Sequence, residues 1–338
     1  MTIPAKLAWP ALAVVALLLV LAPVDLTGIG IPYPGLKRYG TYIMTLWLVT
    51  AIAAMGVNLI VGYAGLETLA QAAFLGIGAY TTALMVKAGL PFGLAFAASG
   101  AAAFVVGIAL GFPALRVRKH YLAFVTLAFS VLAWLVFRNE QWLTGGVMGL
   151  PDISRPSLFG ISLRRHVNFY WFVLAITAAL TFVLWWIVRS PWGRAFMALR
   201  ENPIRAESLG IDVRLYTLLA FAIGSAYGGM AGSLYAPLVE FIDPNPFALG
   251  PSLLFMLMVV VGGVGRFAGP FVGAAVAVLL PEWLRFAEGF YLLIYAALVM
   301  AMMAFCPTGI LGLVERLLAP RRRTQADPKA SLLGEAKP

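Results

Sequence analysis

Histidine, the side chain most often used for acid–base chemistry, occurs twice in the sequence, as His120 and His166. Both lie beside long apolar runs, and the alternation of those runs across a membrane predicts that the two face opposite sides. A Ser–His–carboxylate arrangement or a His-rich metal site would need groups from distant loops. Because Cys306 is the single cysteine, an intramolecular disulfide and a cysteine metal cluster are excluded. The sequence therefore predicts neither a catalytic residue nor a metal site.

A glycine-rich segment at residues 261–270 reads Val-Gly-Gly-Val-Gly-Arg-Phe-Ala-Gly-Pro. Glycine-rich loops cradle nucleotide phosphates when a Gly-Lys pair follows, and the sequence contains no Gly-Lys dipeptide. The segment is predicted to be a tight turn between two membrane spans. The chain is not predicted to hydrolyse ATP itself.

Glu67 stands inside an irregular apolar run from Gly62 to Val86 that also holds Gln71, Tyr80 and several glycines. A charge at mid-bilayer costs at least about 2.5 kcal/mol, so charged residues in such runs are candidates for function. A broken helix in this run would turn freed backbone groups toward a cavity. Glu67, Gln71 and Tyr80 are therefore candidates for a translocation path.

The composition indicates the class of protein that positions these residues. The 338 residues are 62% hydrophobic and 11% charged, and the mean hydropathy is +0.92. Apolar runs long enough to cross about 30 Å of hydrocarbon recur along the chain, which predicts an all-α, polytopic transmembrane helical bundle of about ten spans. The transmembrane domain is predicted at residues 1–319 and a flexible cytoplasmic tail at 320–338. The predicted spans are 7–27, 41–61, 66–86, 93–113, 121–137, 167–188, 215–236, 249–264, 269–287 and 290–306.

Basic residues give an orientation. The formal net charge is +10, and with cations in the loops between spans this favours a membrane orientation signal over a nucleic-acid partner. Loops 114–120, 189–214 and 265–268 and both termini are predicted to be cytoplasmic. The apolar run after Lys6 is predicted to be an uncleaved first span, because no clear small-x-small cleavage site follows it. Glycines at four-residue spacing, such as Gly224, Gly228 and Gly232, predict close helix packing within the chain.

The loop at residues 189–214 is a polar island between two apolar runs. Ser190 can cap a helix that begins at Pro191, Asn202-Pro203 can end that helix and start another, and Gly210 can end the second in a left-handed turn. Helices this short are not stable alone in water. Because the sequence nevertheless supplies capping residues for both helices, it predicts a partner with a groove that binds them.

The sequence contains six short motifs, which are Ser190-Pro191-Trp192-Gly193-Arg194, Leu199-Arg200-Glu201-Asn202, Leu209-Gly210-Ile211, Gly62-Tyr63-Ala64-Gly65, Gly76-Ile77-Gly78-Ala79-Tyr80 and Thr144-Gly145-Gly146. With these motifs the sequence resembles a family, the permease subunits of ABC importers for branched-chain amino acids, often called LivM. The resemblance runs along most of the chain, and the order and spacing of its motifs make it specific.

The resemblance implies that loop 189–214 is the coupling segment that contacts an ATPase subunit. It implies two nucleotide-binding ATPase subunits that hold ATP and Mg, a second homologous permease subunit and an external solute-binding protein. It also implies a bacterial inner membrane with its lipid, no cofactor on this chain, and an external loop at 138–166 that could face the solute-binding protein. Candidate coupling residues are Arg194, Leu199, Arg200, Glu201, Asn202, Ala206 and Gly210.

Alternatives remain open at this stage. The solute could be a branched-chain amino acid, urea, a short amide or an aromatic acid, and the permease pair could be of like or unlike chains. An ion-driven secondary carrier working alone would use Glu67 or Asp25 to bind the coupling ion. A membrane-embedded enzyme or scaffold would support no solute flux.

Overall fold

The computed structural model describes residues 37–115, 119–158 and 161–284, together with residue 23 and short pieces between residues 290 and 313. The predicted span 7–27, most of the predicted span 290–306 and the predicted tail 320–338 lie outside the described residues. Asp25 and Cys306 lie outside them as well.

Helices dominate the described chain, which confirms the all-α membrane class. The sheet content is one antiparallel pair of two-residue strands, β1 (Ser157–Leu158) and β2 (Ile161–Ser162), which the sequence did not predict. Within the described residues, five helical spans are long and apolar enough to cross a membrane. The helices are α1 (Arg38–Val57), α2 (Gln71–Lys87), α3 (Phe92–Ala114), α4 (Lys119–Asn139), α5 (Gln141–Thr144), α6 (His166–Arg189), α7 (Pro191–Glu201), α8 (Pro203–Ser208), α9 (Val213–Val239), α10 (Leu249–Gly262) and α11 (Gly269–Trp283).

Two of the five long spans form the centre of the bundle. The span Arg38–Tyr63, which is α1 with the turn that follows it, and the helix α9 are mostly buried, whereas α3, α4 and α6 are mostly exposed. Hydropathy does not separate the two groups: α6 reaches a mean of 2.2 and α9 only 1.3. Because lipid is as apolar as the protein interior, the exposed helices are suited to face lipid.

Glycines bring the central helix α9 close to its neighbours. A Cβ atom added at Gly224 would meet the side chain of Ile60, and one added at Gly228 would lie 2.9 Å from Cβ of Phe74. At Gly232 it would collide with the main-chain carbonyl of Leu75 in α2. Such close approach is a main source of helix association in lipid. The predicted packing of these glycines within the chain is confirmed.

The chain is broken between α1 and α2, as the irregular run predicted. A π-helical turn at Asn58–Tyr63 follows α1, and residues 64–70 are not helical. The N–H of Leu69 donates to Thr126 Oγ1 in α4 at 3.0 Å, and the N–H of Ala72 donates to Ser252 Oγ in α10 at 3.1 Å. Hydroxyl groups of neighbouring helices therefore satisfy part of the freed backbone, whereas the sequence had predicted a cavity beside it.

The loop between α4 and α6 is ordered by glycine and by one threonine. Gly145, Gly146 and Gly149 have positive φ angles, and the hydroxyl of Thr144 donates to the Phe137 carbonyl at 2.7 Å. The Thr144-Gly145-Gly146 motif therefore lies in a turn whose backbone conformation favours glycine.

Farther along this loop, Arg155 fastens it to the end of α9. Its Nε lies 2.9 Å from Oε1 of Glu240, and the Arg155 side chain is only 5% exposed, against 58% for Glu240. A second bond from Arg155 Nη1 reaches the Arg164 carbonyl at 3.0 Å. Glu240 has a φ of +62°, in the left-handed region where non-glycine residues are uncommon.

Candidate functional site

The coupling loop, residues 189–214, folds as its cap residues predict. Ser190 Oγ accepts from the N–H of Trp192 at 3.1 Å at the start of α7. Asn202 Oδ1 accepts from the N–H of Arg205 at 3.1 Å at the start of α8. Gly210 ends α8 with a φ of +82°. The two predicted short helices and their left-handed end are therefore confirmed.

A third cap, at Asp212, was not predicted. Its Oδ1 accepts from the N–H groups of Arg214 at 2.9 Å and Leu215 at 3.1 Å. Asp is among the best N-cap residues, and its position just before a long apolar run is the sequence signal that was overlooked. The cap fixes where the coupling loop enters the central helix α9.

The inner face of the coupling loop packs on the bundle. Phe196, Leu199 and Ala206 are almost completely buried, and the ring of Phe196 meets that of Tyr216 edge-on with centroids 5.9 Å apart. Gly193 allows α7 to press against the Val188 carbonyl at the end of α6. Leu199 and Ala206, predicted as apolar contacts for an ATPase, thus face their own chain, because the apolar stripe of α7 and α8 covers the bundle end.

The outer face of the coupling loop carries a different set of side chains. Ile204 is 76% exposed and Leu209 is 81% exposed, although both are large and apolar. Trp192 and Met197 are also exposed, as are the charged residues Arg194, Arg200 and Glu201. An exposed apolar cluster with charged neighbours is typical of a protein-binding surface.

Arg200 takes a different direction from the other charged residues of the loop. Its Nη1 donates to the main-chain carbonyl of Gly62 in the π-helical turn. Gly65, with a φ of +69°, lies so close that an added Cβ would be 2.8 Å from Cγ of Arg200. Arg200 was predicted to contact an ATPase, and the structure directs its guanidinium to its own chain.

The glycine turn, residues 262–269, is also bonded to the π-helical turn, through the side chain of Asn58. Asn58 Nδ2 donates to the Arg266 carbonyl, and Asn58 Oδ1 accepts from the N–H of Gly265, both at 2.9 Å. Arg266 Nη1 donates to the Thr308 carbonyl at 2.7 Å. Asn58 was not singled out in the sequence, although a polar side chain inside the predicted span 41–61 was a signal for it.

The three candidate path residues are not brought together. Glu67 lies in the non-helical segment and is partly exposed, and Gln71 is buried at the start of α2. Gln71 Nε2 donates to the Ala53 carbonyl at 2.8 Å, while its Oε1 has no protein partner. Tyr80 packs against the rings of Phe137 and Phe247, at centroid distances of 5.0 and 5.6 Å. Nine residues of helix, about 13 Å, separate Gln71 from Tyr80.

An apolar groove of about 330 Å³ lies between α1, α10 and α11, and Leu75 of α2 and Tyr235 of α9 also line it. Leu46 and Val49 line it from α1, Phe255 from α10 and Val278 from α11. Glu282 is its charged residue and accepts from the hydroxyl of Tyr39 at 2.9 Å. The glycine turn joins two of the helices that line this groove, α10 and α11.

Comparisons with known proteins agree with this architecture. The family described as "Branched-chain amino acid transport system / permease component" matches residues 40–306. The high-affinity branched-chain amino acid transport system permease protein LivM of Escherichia coli K12 is 34% identical over 313 residues, 85% of this chain and 74% of the relative. The protein of the same name in Salmonella typhimurium is 32% identical over 84% of this chain and 72% of its own length.

A more distant relative carries a different name. The autoinducer 2 import system permease protein LsrC of Escherichia coli O9:H4 is 27% identical over 44% of this chain and 40% of its own length. No solved structure matches the chain. With the family match over most of its length and this pattern of spans and loops, the chain belongs to the family of permease components of branched-chain amino acid transport systems.

Proposed function

We propose that the chain is the translocating subunit of an ATP-driven importer and that its coupling loop docks on a nucleotide-binding ATPase subunit. The observation that carries this proposal is the two-sided coupling loop. One face is packed on the bundle, and the other presents apolar side chains to solvent on two capped helices. Helices of this length gain their stability from packing, and a groove on a partner would cover the free face.

Six of the seven predicted coupling residues have a place in docking, and the seventh, Arg200, joins the loop to the bundle at the Gly62 carbonyl. Arg194 and Glu201 are the polar contacts to the ATPase, and Ile204 and Leu209 are added as the apolar contacts because they are the most exposed large apolar side chains of the loop. The remaining predicted residues act by shaping the loop, since they are buried, cap a helix or end one. They are Leu199, Asn202, Ala206 and Gly210.

The assembly follows from the same proposal. Two ATPase subunits hold ATP and Mg, a second homologous permease completes the path, and a solute-binding protein delivers the solute to the external loop 138–166. The solute is a branched-chain amino acid or a related small amphipathic molecule, as the names of the relatives support. The chain lies in a bacterial inner membrane with both termini in the cytoplasm. Glu67, Gln71 and Tyr80 remain the candidates for the path.

ATP drives movement in this scheme without bond chemistry on the permease. Closure of the ATPase subunits on ATP displaces the docked coupling loop, and the spans follow as rigid bodies. The buried inner face of α7, with Phe196 against Tyr216, lets the loop and the end of α9 move together.

Reconstitution tests the proposal. Proteoliposomes with the permease pair, the ATPase subunits and the solute-binding protein are expected to accumulate labelled leucine only when ATP is supplied to the ATPase side. Uptake without ATPase subunits that collapses with an ion gradient would instead establish the secondary carrier. Absence of any flux with every partner present and ATP being hydrolysed would contradict a transport role.

A glycine pair then tests the coupling loop itself. Gly210 and Gly89 share left-handed φ angles of +82° and +80°, and neither has a neighbour within 4 Å of an added Cβ. A Val at either position is strained by its backbone alone. Gly210→Val is expected to abolish stimulation of ATP hydrolysis by the loaded binding protein, and Gly89→Val, in the turn between α2 and α3, is expected to preserve it. Equal stimulation in both variants would refute the docking role.

A further inference from the structure

We infer that Arg200 is a positioning residue that carries movement of the coupling loop into α1 and the glycine turn, with Asn58 as the second member of the joint. This inference rests on the proposed function. The joint is defined by Asn58, Gly62, Gly65, Arg200 and Gly265. It ties three separate stretches of chain to one another within a few ångströms.

The π-helical turn provides an acceptor for Arg200. The carbonyls of Leu59 and Ile60 accept from the N–H groups of Ala64 and Leu66, both at 3.0 Å. The turn then ends, and the last carbonyls of a helix have no partner within it. The guanidinium of Arg200 donates to the carbonyl of Gly62. A hydrogen bond with a charged donor is stronger than one between neutral groups, so the coupling helix is firmly held to this turn.

Glycines allow the π-helical turn, the glycine turn and Arg200 to lie close to one another. A Cβ added at Gly62 would lie 2.6 Å from the N atom of Gly265, and one added at Gly265 would collide with Nη1 of Arg200. Both positions therefore require the absence of a side chain. Arg200 lies over the point where the π-helical turn and the glycine turn touch, so it cannot shift inward without displacing both.

Asn58 locks the two turns together below Arg200. Its amide donates to the Arg266 carbonyl and accepts from the N–H of Gly265, so both polar ends are used on the same short turn. Two bonds from one amide fix both the distance and the orientation of the glycine turn relative to α1. A displacement at Arg200 therefore reaches α1 and the glycine turn as one unit.

The glycine turn connects α10 to α11, and these two helices with α1 line the apolar groove of about 330 Å³. The groove is also lined by Leu75 of α2 and Tyr235 of α9, two helices that bear no residue of the joint. Movement of α7 would shift α1, α10 and α11 together, and so change their position relative to α2 and α9 at the groove. The joint supplies a physical route from the coupling loop to an opening between spans, a link that docking alone does not provide.

The experiment compares Arg200 with Arg194, another exposed arginine of the same helix. Arg200→Met keeps an apolar stem and removes the donors, whereas Arg194→Met removes a proposed ATPase contact. Both are measured in the full reconstituted transporter for permease–ATPase affinity and for solute molecules moved per ATP hydrolysed. Arg200→Met is expected to retain the wild-type affinity within twofold and to lose at least tenfold in solute per ATP. Arg194→Met is expected to weaken affinity instead.

Arg200→Lys and Asn58→Ala complete the set. Lysine can donate to the Gly62 carbonyl without the planar fork of arginine, so partial recovery of solute per ATP is expected. Asn58→Ala is expected to reproduce the uncoupling of Arg200→Met with affinity intact, and thermal unfolding of each variant checks that the bundle is folded. Asn58→Ala also tests the joint if Arg200→Met does not fold.

The outcomes separate the two proposals. Loss of affinity in Arg200→Met equal to that in Arg194→Met would overturn the joint and leave docking intact. Wild-type solute per ATP in folded Arg200→Met or folded Asn58→Ala would also overturn it. Unchanged affinity in Arg194→Met and in variants of the exposed apolar contacts would overturn the docking proposal itself.

Discussion

Truncation of Ile204 and Leu209 gives the sharpest quantitative expectation for the outer face of the coupling loop. Ile204 is 76% exposed and Leu209 is 81% exposed in the single chain, so most of each side chain is free to be buried by a partner. Alanine removes three methyl or methylene groups at about 0.8 kcal/mol each when buried, which gives about 2 kcal/mol per position after scaling by exposure.

Because about 1.4 kcal/mol is tenfold in an equilibrium constant, Ile204→Ala and Leu209→Ala are each expected to weaken permease–ATPase affinity about 10- to 30-fold. The double variant is expected to lose about 100- to 1000-fold if the two contacts are independent. Affinity is measured by titrating labelled ATPase subunits onto the permease in nanodiscs. Leu90→Ala serves as the control, since Leu90 is 42% exposed in the turn between α2 and α3.

The reasoning predicts no change in affinity for Leu90→Ala. A loss below twofold in the Ile204 and Leu209 double variant, with the protein folded, would refute the assignment of this face as the docking surface. Equal losses in all variants would point to a general effect on the bundle.

Two further expectations concern stability in detergent, measured as midpoints of thermal unfolding. Gly232→Ala is expected to destabilise by at least about 1–3 kcal/mol, because the new methyl group collides with a main-chain carbonyl, whereas Gly250→Ala, where nothing lies within 4 Å, should be neutral or stabilising. Arg155→Ala is expected to lower the free energy of unfolding by about 2–3 kcal/mol, because the Arg155 side chain is only 5% exposed and its hydrogen bonds are lost. Glu240→Gln is expected to lower it by about 1 kcal/mol or less, because the Glu240 side chain is 58% exposed. A stable Gly232→Ala protein, or a larger loss from Glu240→Gln than from Arg155→Ala, would contradict these expectations.

Hydropathy predicted the membrane helices closely. The predicted span 93–113 is Phe92–Ala114 in the structure, and the predicted span 167–188 is His166–Arg189. Backbone groups in hydrocarbon must bond within the helix, so an apolar run of sufficient length fixes both the type and the limits of the element. The caps of α7 and α8 were also predictable, because capping depends on residues next to one another in the chain.

Contacts between distant parts of the chain were not predictable. The bond from Asn58 to the Arg266 carbonyl spans 208 residues, and no local spacing encodes it. The direction of Arg200 was missed for the same reason, since an arginine in a loop reads equally as a partner contact or as an internal one. Hydropathy also cannot tell a helix facing lipid from one facing protein, because both surroundings are apolar.

The glycine contacts of the central helix bear on how the protein can mutate. Gly232 abuts the carbonyl of Leu75, and Gly78 abuts the main chain of Gly229. All amino acids carry the same main-chain atoms, so no compensating replacement at residue 75 or 229 can make room for a larger residue. Where two side chains pack against each other, a second mutation that makes one smaller can compensate for a first mutation that makes the other larger. If Gly78 or Gly232 is replaced, a selection for revertants should recover only glycine at that position or changes that move an entire helix.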